Sequence, residues 1–172
     1  MDSLEMLRPV QPPAPPPTSL SRLYARPGFL LRRAHQISAA VFEDECRELA
    51  LTPAQFGVLT VLKAHPGLGQ SSLARALGFD KVTVLRVLRG LETRGLLARW
   101  PAPDNRRNIS AGLTPEGLAV LERAQKPAEK AYRRLLAPLD RTQQTQLVDL
   151  LQRLTGELED DARAAFVPPR QG

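Results

Sequence analysis

Lys81, Val82 and Thr83, then Arg86 and Arg89, set short polar, apolar and cationic side chains at helical spacing along one short segment. Downstream, Asp104-Asn105-Arg106-Arg107 puts two guanidinium groups in a polar loop. Upstream, Ser71 and Ser72 open another short helical pattern. The chemistry these types can do is recognition of a polyanion with ordered bases. Thr83 can bond a base edge or touch a thymine methyl, and Arg86 can fork onto guanine O6 and N7. Val82 offers only apolar contact. Arg89, one turn on, suits a phosphate. Amides and hydroxyls at Ser71 and Ser72 suit a phosphate oxygen or a plain helix cap. Nothing comparable points to catalysis. There are two histidines, His35 and His65, and one cysteine, with no nucleophile elbow, no phosphate loop and no Cys/His cluster for zinc. The chain reads as no enzyme, with no cofactor and no metal.

The elements that must carry these residues follow from local signals. A helix is predicted over 27–49, with Leu30, Ala34, Ile37 and Val41 at helical spacing. Thr52-Pro53-Ala54-Gln55 reads as a capping box opening a second helix that stops at His65-Pro66-Gly67. A short helix over 70–77 ends at Gly78, and Asp80 caps the next, which runs to Arg94 before Gly95. Its expected inner stripe is Val84, Leu85, Leu88 and Leu91. Residues 96–101 and 108–113 are predicted strands flanking the basic tip. Gly69–Thr114 is thus helix, turn, helix and a β-hairpin, an order that offers one helix for a major groove and one finger for the backbone or minor groove. Thr114-Pro115-Glu116 opens a further helix with a kink expected at Pro127. Asp140, with Gln143, opens a last one carrying Leu147, Leu150, Leu151, Leu154 and Leu158 on one edge. A long helix with one apolar edge calls for a partner, either the chain's own core or a second copy.

Charge supports the same segment. The 172 residues carry a net charge of +6. Residues 51–114 hold nine basic and three acidic side chains, and the rest holds 15 of each, so the whole surplus lies there. A solvated, generally basic protein would spread it more evenly. Cys46 is the only cysteine, so no intrachain disulfide can form, and a reducing cytoplasm is expected. No apolar run approaches the roughly 20 residues that span a bilayer. Residues 1–22 lack the pattern of a secretory signal and contain six prolines, which reads as an extended arm.

With LTPAQFGVL at 51–59, SSLARALGFDKVTVLRVLRGLETRGLL at 71–97, and D-N-R-R followed by LTPEG within 104–117, the chain resembles the MarR family of bacterial regulators over roughly Gly28 to Leu158. The resemblance implies a mainly α fold with a small β-hairpin wing: a winged helix-turn-helix plus a helical dimerisation region. It implies a homodimer joined by its terminal helices, a pseudo-palindromic operator in double-stranded DNA, and a small ligand that releases it. Arg106 resembles the family's wing arginine, which enters the minor groove, and Asp104 the acid that braces it; Arg107 would meet phosphate. Gly90 departs from the family, where a larger polar residue is common.

The organisation expected is an arm over 1–26, a dimerisation helix over 27–50, the winged helix-turn-helix over 51–114, dimerisation helices over 115–166 and a tail over 167–172. Phe29, Arg32, His35, Phe42 and Phe56 supply a cation, an imidazole and rings that suit a small aromatic acid. This resembles the branch of the family that senses aromatic carboxylates or their thioesters. Arg32 and His35 would equally serve as interface polar groups met by a partner helix. The competing functional class is a winged-helix interaction module or a DNA-architectural protein with no small-molecule effector.

Overall fold

A computed structural model describes residues 19–102 and 108–169. The chain divides into two compact units, residues 1–36 and 37–172. The first contains α1 (Ser19–Tyr24) and the start of α2 (Pro27–Glu45). Helix α1 falls inside the segment read as an extended arm; the six residues 19–24 hold no proline, so nothing there removes a helical amide. The Tyr24 and Phe29 rings lie 5.1 Å apart. Leu30 is exposed and so is Ile37, the latter at the start of the second unit. Their helical spacing therefore marks an apolar edge, not a buried one. α2 ends at Glu45, earlier than position 49, and a 3-10 turn over Arg47–Leu49 follows it.

The second unit builds the core. Thr52 caps α3 (Pro53–Ala64) through the expected capping box: its side chain accepts from the Gln55 amide, and the Gln55 side chain accepts from the Thr52 amide. α4 (Gln70–Ala76) ends before Gly78, whose φ of 62° is left-handed. α5 (Lys81–Thr93) follows its Asp80 cap. Strands β1 (Leu97–Pro101) and β2 (Ile109–Leu113) pair antiparallel, Leu97 opposite Leu113 and Pro101 opposite Ile109. α6 (Pro115–Leu136) and α7 (Arg141–Glu157) follow, with Asp140 and Gln143 forming the second capping box. α6 runs on through Pro127, because Val120, Leu121, Ala124, Ala128 and Ala131 form one buried face on both sides of it.

Val58, Leu59 and Leu62 of α3, Leu73 of α4, Leu88 and Leu91 of α5, and Leu121 of α6 are the innermost side chains, none more than 1% exposed. The inner face of α5 uses Val87, with Leu85 only half-buried, so the stripe reads 84, 87, 88, 91. The end of α2 is clamped to α6 by ions: Arg134 donates to Asp44 at 2.6 Å and to Glu45 at 3.0 Å, and Lys130 lies 2.7 Å from Glu45. None of α7 is buried, and its apolar edge stays open.

Two glycines show opposite constraints. At Gly117 a Cβ would fall 1.8 Å from the Leu96 carbonyl oxygen. At Gly90 it would fall 3.6 Å from the Gln55 side-chain nitrogen, an ordinary contact. Gly117→Ala should therefore cost about 1–3 kcal/mol or more through overpacking. Gly90→Ala should gain up to about 1 kcal/mol of helix propensity. Thermal melts will show the first lowering Tm and the second raising it by about 2–4 °C.

Candidate nucleic-acid interface

α5 presents two unlike faces. Val84, Val87, Leu88 and Leu91 are buried, while Lys81, Arg86 and Arg89 are exposed and Val82 is 76% exposed. Positions 82, 86 and 89 recur at helical spacing, so an isopropyl group and two guanidinium groups share one outer edge. Thr83 is half-buried beside them. The Asp80 carboxylate accepts from the Thr83 amide at 2.7 Å. That bond, then the Thr83 hydroxyl and, more weakly, the Arg86 charge, hold the Asp80 carboxyl below its ordinary value. The threonine thus lies at the rim of the outer edge with its conformation set by the cap.

α4 sets its first turn beside the wing. Its cap position is Gly69, which supplies no side chain, so neither Ser71 nor Ser72 is the cap. Ser71 is exposed and Ser72 half-buried. The wing is tied to this end of α4 by backbone: Gly69 bridges Ser110, the Ala111 amide donates to Leu68 at 3.2 Å, and the Gly67 amide donates to Ala111 at 3.0 Å. Gln70, Ser71 and Ser72 line, with Asn108 and Ser110, a polar depression of about 370 Å³ between α4 and the base of the wing. Sequence reasoning missed Gln70, Asn108 and Ser110 because the single bridge of Gly69 to Ser110, which brings them together, leaves no periodic pattern in the sequence.

The wing is also braced to α5. Arg99 donates through Nε to Glu92 at 3.0 Å, with a second bond from its Nη2, and this pairing holds the Glu92 carboxyl below its ordinary value. Trp100 lies across Gly112, where a Cβ would come within 2.8 Å of the indole. The Ala102 amide donates to Asn108 at 2.8 Å and closes the hairpin beneath its tip. Asp104, Arg106 and Arg107 lie outside the described residues.

Three of the cations counted in the basic surplus serve the fold. Arg94 donates to the Ala50 and Leu49 carbonyls at 2.8 and 2.7 Å, Arg99 pairs with Glu92, and Lys63 lies 3.7 Å from Glu122. Arg75, Lys81, Arg86 and Arg89 have no ion pair among the described residues.

The candidate effector residues divide between the units. In the first, the Arg32 guanidinium stands 5.0 Å over the Phe29 ring and Nη1 donates to Gln36 at 3.5 Å, with His35 exposed. In the second, the Phe42 and Phe56 rings lie 5.4 Å apart. Phe42 is a core residue, 2% exposed, so Phe56 has the freer surface. Tyr132 comes within 6.3 Å of Phe42, and its α6 position gave no sequence signal beyond helical spacing.

A helix-turn-helix followed by a braced two-stranded wing defines a winged helix-turn-helix DNA-binding protein. The MarR family model matches residues 51–109. A regulatory protein assigned to the hcr operon of Thauera aromatica is 34% identical over 131 residues, 74% of this chain and 77% of that protein. Two solved structures align closely. The repressor CouR, bound to a 23-mer DNA duplex, has TM-score 0.72 and 34% identity over 80% of this chain and 98% of that one. Bordetella bronchiseptica BpsR, whose DNA binding is regulated by 6-hydroxynicotinic acid, has TM-score 0.71 and 32% identity over 77% and 94%. The chain belongs to the MarR family: it is a transcriptional regulator, not an enzyme. Among the described residues, no helix is long and apolar enough to cross a membrane.

The Asp80 cap yields a pH prediction. Its carboxyl titrates lower in the folded state, so its stabilisation is complete above the unfolded value and is lost as pH falls through the folded one. Asp80→Ala should lower Tm at pH 7, with the gap to wild type closing toward pH 2. Asp80→Asn, which keeps an acceptor, should lose less at pH 7. Paired melts across that range decide it.

Proposed function

We propose that the chain is a homodimeric cytoplasmic repressor of a catabolic or stress operon that binds a pseudo-palindromic operator and is released by a small aromatic carboxylate or its thioester. The observation that carries the DNA reading is the outer edge of α5, where Val82, Arg86 and Arg89 face solvent over a fully packed inner face. In this reading Thr83 and Arg86 read base edges, with Lys81 and Val82 at the entry of the groove. Arg89, Ser71 and Ser72 meet phosphates. Arg106, braced by Asp104, enters the minor groove, and Arg107 meets the backbone.

The dimer reading is supported by the apolar edge of α7. Leu147, Val148, Leu150, Leu151, Leu154 and Leu158 are each 37–65% exposed in the lone chain. Burying a leucine or valine fully is worth about 1.5–3 kcal/mol, so these five leucines and one valine, each partly in water, are a strong drive to associate. The effector reading rests on Phe29, Arg32, His35, Phe42 and Phe56, and on BpsR, a relative regulated by an aromatic carboxylate.

Operator affinity should fall steeply with salt, because each neutralised phosphate releases a counterion. Arg86→Ala should cost about 1–3 kcal/mol and relax preference at one base position per half-site. Selection from a random DNA pool, followed by binding titrations at several salt concentrations, checks both. Equal losses on every sequence would make Arg86 a backbone contact. For the effector, calorimetry with benzoate, hydroxycinnamate and nicotinate compounds should find one ligand whose affinity drops in Arg32→Ala and His35→Ala. Binding unaffected by both substitutions would place the effector elsewhere.

A further inference from the structure

The residues after α7 do not leave the fold. Past a 3-10 turn over Glu159–Asp161 the backbone becomes extended at Ala162. The Phe166 amide donates to the Glu159 carboxylate at 2.6 Å. One residue on, the Val167 amide donates to the Arg75 carbonyl at 2.9 Å. Arg75 is in the last turn of α4, where carbonyls lack an intrahelical partner, and the Gly78 amide reaches the same oxygen at 3.3 Å. Val167, Pro168 and Pro169 lie against His65, Leu68, Ser72 and Arg75 around a depression of about 360 Å³. The Phe166 Cβ lies 3.9 Å from where a Cβ on Gly78 would stand. Gly78 is the left-handed glycine of the turn between α4 and α5.

The occupant of this surface is the chain itself, and its sequence suits the task. Pro168 and Pro169 fix φ and restrict Val167 to extended backbone, so little freedom remains to be lost on docking. The contact is also light: Phe166 is 50% and Val167 51% exposed. Segments with few buried contacts open at the low end of a protein's range of local stabilities. A light contact between a helix end and a turn can be made and broken without unfolding either.

We propose that Phe166–Pro169 is an intramolecular strap that holds the α4–α5 turn to the end of α7, so that a shift of α7 reaches the segment that aims α5. The strap makes the reader's presentation depend on the apolar-edged helix α7. The DNA consequence rests on α5 being the recognition helix; the docking does not.

The test uses the full-length chain and two substitutions. Val167→Pro removes the amide that donates to Arg75 while keeping an extended backbone, and Phe166→Gly removes the Cβ that approaches Gly78. Hydrogen exchange over residues 70–80 should rise about threefold to tenfold in Val167→Pro, the scale of one lost hydrogen bond, and by a smaller factor in Phe166→Gly. Operator affinity should fall by a few-fold at fixed salt. Wild-type exchange rates in both variants would overturn the strap. Raised exchange with unchanged operator affinity would overturn its role in aiming α5. Because the exchange readout needs no DNA, it stands even if the wild-type chain binds no operator, a result that would count against the reading of α5 alone.

Discussion

The structure depends on α5 burying one side completely while leaving the other free. Val84, Leu88 and Leu91 are at most 1% exposed, and the residues between them carry the charge. A helix of 13 residues is marginal by itself in water, so packing, not propensity, fixes its position. The remaining elements act on that one helix. α3, α4 and β1 supply the inner surface, Asp80 ends the turn that delivers it, and Glu92 ties its far end to the wing through Arg99. The junction after the wing is equally constrained. Thr114 donates its hydroxyl to the Gly95 carbonyl at 2.7 Å and accepts from the Gly117 amide at 3.0 Å, which presses α6 onto Leu96. Only glycine at 117 allows that approach, so the wing and α6 meet at a fixed angle to α5.

Much of this was legible in the sequence wherever a local rule has a local cause. Both capping boxes, the Asp80 cap and the left-handed glycines at 78 and 95 announce themselves within four residues, because hydrogen-bond geometry at a helix end involves only near neighbours. The failures lie where the cause is distant. Val87 displaces Leu85 from the inner stripe because the direction of the buried face is set by α3, α4 and β1, not by α5's own pattern. The ending of α2 at Glu45 coincides with the ionic clamp to Lys130 and Arg134, about ninety positions away. The bonding of the loop at 67–69 to β2, one bridge and two backbone hydrogen bonds, is similarly unreadable from three residues.

Arginine shows the same limit in electrostatic form. A count of charges treats Arg75, Arg86, Arg94 and Arg99 alike. The structure separates them by what lies within reach. Arg94 is spent on two carbonyls of the turn near Ala50, whose φ of 47° leaves those oxygens turned outward from any helix. Arg99 is spent on Glu92. Their charges still add to the potential around the reader at a distance within a Debye length, about 10 Å at moderate salt. They cannot fork onto a base without abandoning partners inside the protein. A basic surplus thus has two components: one that draws a polyanion in, and a smaller one free to contact it.

The exposed apolar edge of α7 is a surface for a partner beyond the single chain. A monomer that kept α7's leucines in water would present a continuous apolar strip, the kind of surface that marks an interaction site. In contrast, the core of the second unit is already closed: no buried side-chain polar atom among the described residues lacks a partner. Association therefore has no buried, unpaired side-chain polar group to satisfy among the described residues of the reader. It can act only through what joins α7 to α4 and α5, and among the described residues those joints are few: α6 with the Gln144 bonds to the Leu136 and Leu139 carbonyls, and the extended segment that ends on Arg75. The α6 route is packed along a buried face and resists change, whereas the extended segment is half-exposed and held by single bonds. A signal that must alter DNA affinity without unfolding the reader is more cheaply carried by the second, since a light contact has two accessible states and a packed core has one.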